Sequence, residues 1–172
     1  MDVSELLARR SIRRYTAEPV SDEALHRALE AAMAAPSAMH CDPWRFIILR
    51  AAADRQALAD CLPYGQMLRQ APVGIIVCGD LRAAHRGELS YLLQDVSAAI
   101  ENLLLALHAQ GLGAVWLGIH PNEERIAGVV AHFGLPAEIV PVSAIAVGHP
   151  AEQPAPRTRF DAAKVFNGRW GK

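Results

Sequence analysis

The chain has 172 residues, which is enough for one domain with a sizeable core and indicates a single domain. Hydrophobic residues make up 52% and charged residues 20%, a balance typical of an ordered globular protein. The net charge of −1 excludes a general binder of nucleic acids or other polyanions.

A cluster of positive charge follows a short helix predicted over residues 3–8, and its sequence is Arg9-Arg10-Ser11-Ile12-Arg13-Arg14-Tyr15. Neighbouring guanidinium groups repel one another unless an anion lies between them, and Arg and Ser side chains match phosphate oxygens as donors. Two interpretations are open at this point: a phosphate-binding cradle and a solvated basic turn. Because the net charge of the chain is small, a local cradle would suit a small anionic ligand.

The next helix begins after the good N-cap Ser21 and ends before Pro36. Its apolar residues recur at helical spacing and predict an amphipathic helix that packs on a core: Leu25, Ala28, Leu29, Ala32 and Met33. The following loop, residues 35–44, contains Pro36 and Pro43 and is small and apolar for a surface loop. Such a loop lets a flat group approach the backbone closely, although a tight connection between a helix and a strand is the simpler alternative.

The remaining elements alternate between buried strands and helices. Strands are predicted over residues 44–49, 73–78, 113–118 and 141–148, helices over 52–62, 88–110 and 122–133, and a helical turn over 66–70. This order predicts an α+β domain with helices on both faces of a mixed central sheet of about four strands. The helix over 88–110 is apolar almost all round, so we expect it to lie at a subunit interface.

The last 22 residues differ from the rest of the chain. Residues 152–160 contain two prolines and two arginines, which predicts an extended arm. Val165, Phe166 and Trp170 are large apolar side chains on a segment with no core of its own, so we expect the arm to pack on a partner subunit. We therefore divide the chain into one domain, residues 1–150, and an arm, residues 151–172, that could add a fifth strand to the partner's sheet.

Other common site types find little support in the sequence. The seven histidines show neither an HExxH motif nor a helical i, i+4 pair, so we expect no metal site. GxSxG and GxGxxG motifs are absent, which argues against a hydrolase nucleophile and against a Rossmann domain. Three cysteines without a regular framework, together with an N-terminus that lacks an export signal, predict a cytoplasmic location.

Four pieces of the chain, taken together, resemble the short form of the FMN-dependent nitroreductase family. They are residues 9–13 (RRSIR), the stretch from Ala35-Pro36-Ser37 to Pro43-Trp44-Arg45-Phe46, residues 102–118 (NLLLALHAQGLGAVWLG), and residues 148–159, from Gly148-His149-Pro150 to Pro156-Arg157-Thr158-Arg159. The resemblance spans nearly the whole chain. It implies a homodimer that holds FMN at the subunit interface and takes hydride from NADH or NADPH.

The resemblance also assigns roles to residues. Arg9, Ser11 and Arg159 match the phosphate-binding positions of the family, with Arg10 and Arg157 close by. Arg13 matches the position whose cation lies near the pyrimidine edge of the flavin, where negative charge gathers on reduction. Further residues match positions that contact the flavin ring. These are the loop Pro36, Ser37, Ala38, Met39 and His40, the strand end Leu117 and Gly118, which we expect from the partner subunit, and Gln66 near the pyrimidine ring.

The chain departs from the family pattern at His40 and Asp42, where the family usually has Asn and Gln. A carboxylate aimed at the ring would oppose its reduction, so we expect Asp42 to cap the turn before Pro43 instead. The resemblance implies a ping-pong reaction with an electron-poor acceptor, such as a nitroaromatic or a quinone, and no side chain acts as a nucleophile. His40 is a hypothetical proton donor. A flavin carrier or sensor, or another flavin reaction such as dehydrogenation or dehalogenation, is the alternative function.

Overall fold

The computed structural model describes residues 3–171 and contains five α-helices and four strands in that range. In chain order these are α1 (Val3–Ala8), α2 (Asp22–Met33), β1 (Trp44–Leu49), α3 (Ala52–Asp60), β2 (Val73–Asp80), α4 (Leu89–Ala109), β3 (Gly113–Gly118), α5 (Glu123–Phe133) and β4 (Ile139–Gly148). Short 3₁₀ turns lie at 38–40, 66–69, 85–87 and 162–164. No helix of this part of the chain is long and apolar enough to cross a membrane.

The four strands form one sheet in the order β1-β2-β4-β3, which confirms the predicted α+β class and the number of strands. All three ladders are antiparallel, so the expectation of a mixed sheet was wrong. The reason lies in the connections. Leu49 at the end of β1 pairs with Gly74 near the start of β2, so residues 50–72 leave the sheet and return to it at the same end of the strands. A helical connection in the sequence does not distinguish this return from a crossover.

Helices cover both faces of the sheet, and each face has its own core. On one face, α2 and α4 pack against alternate strand residues such as Ile75, Val77 and Ile145. On the other face, Leu58 of α3 and Val129 of α5 join a cluster whose strand residues include Ile76, Cys78 and Ala144. The inner strands β2 and β4 are therefore buried on both sides, which explains their continuous apolar sequence.

The predictions that α2 is amphipathic and that α4 is apolar almost all round hold to different degrees. Leu25, Ala28 and Ala32 of α2 are buried as predicted, but Met33, the last residue of the helix, is 51% exposed. In α4 one broad face is buried, while Gln94 and Glu101 are exposed. The fully apolar interpretation of α4 therefore overstated its burial in a single chain.

The arginine-rich segment after α1 lies along the outer edge of β3. Ser11 forms a parallel bridge with Ala114, and the Ile12 amide donates to the Ala114 carbonyl at 2.9 Å. A Cβ atom on Gly113 would lie 2.7 Å from Cγ2 of Ile12, so the close approach of this segment requires glycine there. The lack of a side chain at Gly113 thus fixes where the arginines stand.

Tyr15 fastens the other end of this segment to the sheet. Its buried hydroxyl lies 2.5 Å from the Ile12 carbonyl and 3.1 Å from the carbonyl of Ala146 in β4. Burial, with a smaller contribution from the Glu152 carboxylate, raises the pKa of Tyr15 well above its usual value. The phenol therefore stays neutral and remains a hydrogen-bond donor.

The C-terminal segment first follows its own chain and then leaves it. The Ala151 amide donates to the Arg14 carbonyl at 2.9 Å, and Glu152 Oε1 accepts from the amides of Arg13 (2.6 Å) and Arg14 (3.2 Å). From residue 155 to residue 171 every residue is exposed, including Trp170 at 88%. Large aromatic groups in water indicate a surface made to be covered.

The close approach at Gly113 yields a stability prediction. Gly113→Ala should lower the free energy of unfolding by about 1–3 kcal/mol, because the new methyl group forces Ile12 and the arginine segment away from β3. Denaturant unfolding measures this loss. The matched control is Gly118→Ala on the same strand, where a Cβ meets nothing within 4 Å and the change should stay within about 0.5 kcal/mol. Equal effects of the two substitutions would contradict the packing described here.

Candidate functional site

Arginines from both ends of the chain converge on one cavity of about 310 Å³, which we call the arginine cavity. Its walls are Leu6, Leu7, Arg9, Arg10, Ser11, Arg157 and Arg159. The N-terminal residues are in place because the segment after α1 is bound to β3, and the two C-terminal arginines follow the stretch that is hydrogen-bonded to that same segment. The structure therefore brings together all five residues that the sequence matched to a phosphate site.

The charges around this cavity are unbalanced. Arg9 Nη2 lies 3.3 Å from Oε1 of Glu101 on α4, and Arg10 donates through Nη1 to the Ala155 carbonyl. Within residues 3–171, neither Arg157 nor Arg159 has a carboxylate partner, and Nε of Arg9 is buried without a hydrogen bond. A solvated basic turn would leave Arg9 free in water, whereas its side chain is only 27% exposed. This donor set fits a phosphate group, which supplies several acceptor oxygens and up to two negative charges.

A second cavity, of about 230 Å³, lies where β3 ends, and we call it the strand-end cavity. It is lined by Arg13, Leu62, Pro63, Tyr64, Trp116, Leu117, Gly118 and Arg125. The parallel bridge between Ser11 and Ala114 explains this grouping, because two residues further along both segments Arg13 comes beside Trp116. The resemblance assigned Leu117 and Gly118 to the partner subunit, on the side of the flavin opposite the loop over residues 36–40, and this stays a prediction. In a single chain both residues line one cavity with Arg13.

Sequence reasoning missed Arg125 in this cavity. The residue lies in the first turn of α5, where the Asn122 side chain accepts a hydrogen bond from its amide at 3.0 Å. Its Nη1 donates to the Gly118 carbonyl at 2.9 Å, and its Nε is buried without a partner in the described chain. The sequence offered one clue to this position. The cap Asn122 follows Gly118 by only four positions, so the first turn of α5 must lie close to the end of β3.

The loop over residues 36–40 lines neither cavity of its own chain. It has an unusual backbone: Met39, His40 and Asp42 have φ angles of 54°, 55° and 47°, in the left-handed region that non-glycine residues rarely adopt. Such conformations persist where the surrounding structure enforces them, and they cluster at binding and active sites. Met39 is 77% exposed at the crest of this loop.

Two carboxylates hold the loop in this shape. Asp42 Oδ1 accepts a hydrogen bond from the Ser37 hydroxyl, and the Asp42 amide donates to Ser37 Oγ at 3.1 Å, so Asp42 closes the turn before Pro43 as expected. Asp95 of α4 lies beneath the loop and accepts from the Ala38 amide at 2.9 Å. Asp95 is only 6% exposed, and its Oδ2 atom has no partner within residues 3–171. A lone carboxylate on the buried face of a long helix was the sequence clue to this support, and it was overlooked.

Gln66, a predicted site residue, and the thiols of Cys61 and Cys78 lie outside the two cavities. Gln66 is exposed, accepts from Arg69 Nε at 2.9 Å and does not line the strand-end cavity. Burial raises the pKa of the Cys78 thiol to about 12 and also raises that of Cys61, so neither thiol is a ready nucleophile at neutral pH. In the described part of the chain, no group of three or more His, Cys, Asp or Glu residues could hold a metal ion.

Comparisons with known proteins agree with one another. The model of the nitroreductase family matches residues 6–62 and 54–149. The "Putative NADH dehydrogenase/NAD(P)H nitroreductase" of Methanothermobacter thermautotrophicus is 41% identical over 99% of this chain and 88% of its own length. The "NADH dehydrogenase" of Thermus thermophilus is 34% identical over 92% of this chain and 91% of its own. Among solved structures, "a putative nitroreductase in complex with fmn" from Desulfovibrio desulfuricans has a TM-score of 0.86 and 38% identity, over 98% of this chain and 96% of that one.

The support from Asp95 can be tested on the loop itself. Asp95→Ala should speed amide hydrogen exchange at Ala38 by about tenfold or more, because the amide loses an acceptor worth about 1–2 kcal/mol. Asp95→Asn keeps an acceptor oxygen at this position and should stay close to the unsubstituted protein. Unchanged exchange in the alanine variant would show that the loop holds its shape without Asp95.

Proposed function

The chain belongs to the nitroreductase family, and from this premise we propose that two copies of it form an FMN-dependent oxidoreductase. The enzyme takes hydride from NADH or NADPH and then reduces an electron-poor acceptor, such as a nitroaromatic or a quinone, in a ping-pong sequence. It works in the cytoplasm, where its three free cysteines remain reduced.

The observation that carries this proposal is the arginine cavity. Arg9, Ser11 and Arg159 hold the FMN phosphate, and Arg10 and Arg157 stand beside them on the same walls. The buried Nε of Arg9 and the two C-terminal guanidinium groups are donors without acceptors in the described chain, so a phosphate would complete them without displacing an existing contact. Within residues 3–171, the Glu101 carboxylate, 3.3 Å from Arg9, is the only carboxylate that pairs with this cation and would compete for it.

The strand-end cavity supplies the bed for the flavin ring. Leu117 and Gly118 offer a flat strand end without bulky polar groups, and Arg13 brings a positive charge to the same cavity. Bound FMN supplies the hydride chemistry, which no protein side chain can supply. The Arg13 guanidinium stabilises negative charge that develops at the pyrimidine edge of the ring, and it does so in a partly apolar cavity where charges act more strongly than in water.

A second copy completes the site. The loop over residues 36–40 has a left-handed backbone at Met39 and His40 and lines neither cavity of its own chain, so we assign it to the ring held by the second copy. The exposed aromatic groups of the arm, such as Phe160 at 83% and Trp170 at 88%, gain a cover when the arm packs on that copy. His40, on the same loop and exposed, is the proton donor to the acceptor in this proposal. Gln66 would have to move from Arg69 to contact the pyrimidine ring.

The geometry of Asp42 favours redox turnover over simple storage of the flavin. Its carboxylate is engaged by the Ser37 hydroxyl, and its amide by Ser37 Oγ. The carboxylate is therefore engaged within its own loop. Held in this way, it would oppose reduction of the flavin less than a carboxylate aimed at the ring.

A spectroscopic experiment tests the function. The purified protein should be yellow, should bleach when NADH or NADPH is added under argon, and should recover its colour when a quinone or a nitroaromatic is added. Sedimentation should show two chains per particle. A yellow protein that neither nicotinamide bleaches would favour the alternative of a flavin carrier or of another flavin reaction. A colourless protein that takes up no added FMN would contradict both functions.

A further inference from the structure

The strand-end cavity contains two guanidinium groups, and the proposed flavin site uses only Arg13. We propose that Arg125 is the second cation of the flavin site. It fixes the Gly118 carbonyl and, together with Arg13, stabilises negative charge on the bound ring. This inference rests on the proposed function, since it assigns a residue to the same flavin site.

The contacts of Arg125 place its charge at the strand end. Its Nη1 is 2.9 Å from the Gly118 carbonyl, and both residues line the strand-end cavity. The Asn122 side chain caps the backbone amide of Arg125 at 3.0 Å, so the start of α5 holds the arginine against β3. A side chain fixed at both its backbone and its head group is preorganised, which is what electrostatic stabilisation requires.

Neither of these two cations is neutralised by an ion pair in the described chain, although Asp60 and Glu124 line a neighbouring cavity together with Arg125. Within residues 3–171, neither Arg13 nor Arg125 makes a side-chain ion pair, although six other arginines do. The Glu152 carboxylate binds the backbone amide of Arg13 rather than its guanidinium. Two unpaired cations in one cavity of about 230 Å³ repel each other, so the arrangement favours a ligand that carries negative charge there.

The surroundings strengthen this effect. Apolar groups of Leu62, Pro63 and Leu117 line the cavity, and apolar walls weaken the screening of charge by water. A flavin ring that covers the cavity would exclude more water. Each cation then contributes more to the stability of the reduced, negatively charged ring than to that of the neutral oxidised ring, and this difference raises the reduction potential.

A purely structural role is the competing explanation. Arg125 would then close the turn between β3 and α5 through its bond to Gly118, and its charge would have no effect on the ring. The two explanations differ in what they predict for a lysine at this position. Lysine keeps the charge but replaces the planar guanidinium, whereas glutamine keeps a hydrogen-bond donor and removes the charge.

The experiment measures the two-electron reduction potential of FMN bound to the dimer, by titration against a reference dye. Arg125→Gln should weaken the binding of reduced relative to oxidised FMN by about tenfold, which corresponds to a potential lower by about 30 mV. Arg125→Lys should stay within about threefold of the unsubstituted protein. Arg27→Gln is the control, because Arg27 lies on α2, pairs with Glu23 on an exposed face and does not line the cavity.

A second variant keeps the test decisive if Arg125→Gln fails to fold. Tyr64 is 79% exposed and lines the same cavity, so Tyr64→Glu brings a carboxylate near Arg125 without removing it and should lower the potential in the same direction. An unchanged potential in Arg125→Gln would overturn the proposal, and so would an unchanged potential in Tyr64→Glu if Arg125→Gln does not fold. Equal shifts in Arg125→Gln and Arg125→Lys would also overturn it, in favour of the structural role. FMN binding by the unsubstituted protein is measured before any variant is made. If that protein binds no FMN, the proposed function fails as well.

Discussion

The seating of residues 9–15 on the edge of β3 is the constraint on which both cavities depend. One backbone hydrogen bond from Ile12 to Ala114 sets the register, the bare Gly113 allows the approach, and the Tyr15 hydroxyl holds the end of the segment to β4. This register directs Arg9 towards one cavity and Arg13 towards the other. The C-terminal stretch is anchored to the same backbone through Glu152, so the two ends of the chain share one attachment.

Several residues near the proposed binding site have conformations or surroundings that destabilise the folded chain. Left-handed φ angles at Met39, His40 and Asp42 each oppose folding, and so does the buried Oδ2 of Asp95, which has no partner within residues 3–171. Burial of the inner strands and of the helices on both faces of the sheet offsets this destabilisation. In the proposed dimer, a second copy would cover the loop and the aromatic arm, and the FMN phosphate would complete the arginines.

Local sequence patterns predicted much of this fold. The bounds of β1 and β3 agree residue for residue, and the helix predicted over residues 122–133 is α5, which Asn122 caps and Gly134 ends. These features depend on short-range rules of hydrophobic runs, capping and glycine conformation. The convergence of Arg9 and Arg159 was predicted from the family resemblance, since no short-range rule links residues 150 positions apart.

What the sequence did not reveal depends on three-dimensional register. The antiparallel ladders, the grouping of Leu117 and Gly118 with Arg13 in one chain, and the place of Arg125 all follow from how segments far apart in sequence align. Asp95 was missed for a related reason. In an apolar helix, the sequence alone indicates that a carboxylate lies on the exposed face. The partner that explains its burial, the backbone amide of Ala38, is 57 positions away in sequence.

The central claim is that arginines from opposite ends of the chain bind one phosphate, and the affinities for FMN and for riboflavin test it most directly. The two ligands share the ring and differ only in the phosphate. The account predicts that Arg9→Gln or Arg159→Gln weakens FMN binding by tenfold or more, as expected for charge-assisted hydrogen bonds of about 1.5–3 kcal/mol, and leaves riboflavin binding unchanged. Arg14→Gln, in the same motif but outside the arginine cavity, should change neither affinity. Equal affinity of the unsubstituted protein for FMN and riboflavin would contradict the account.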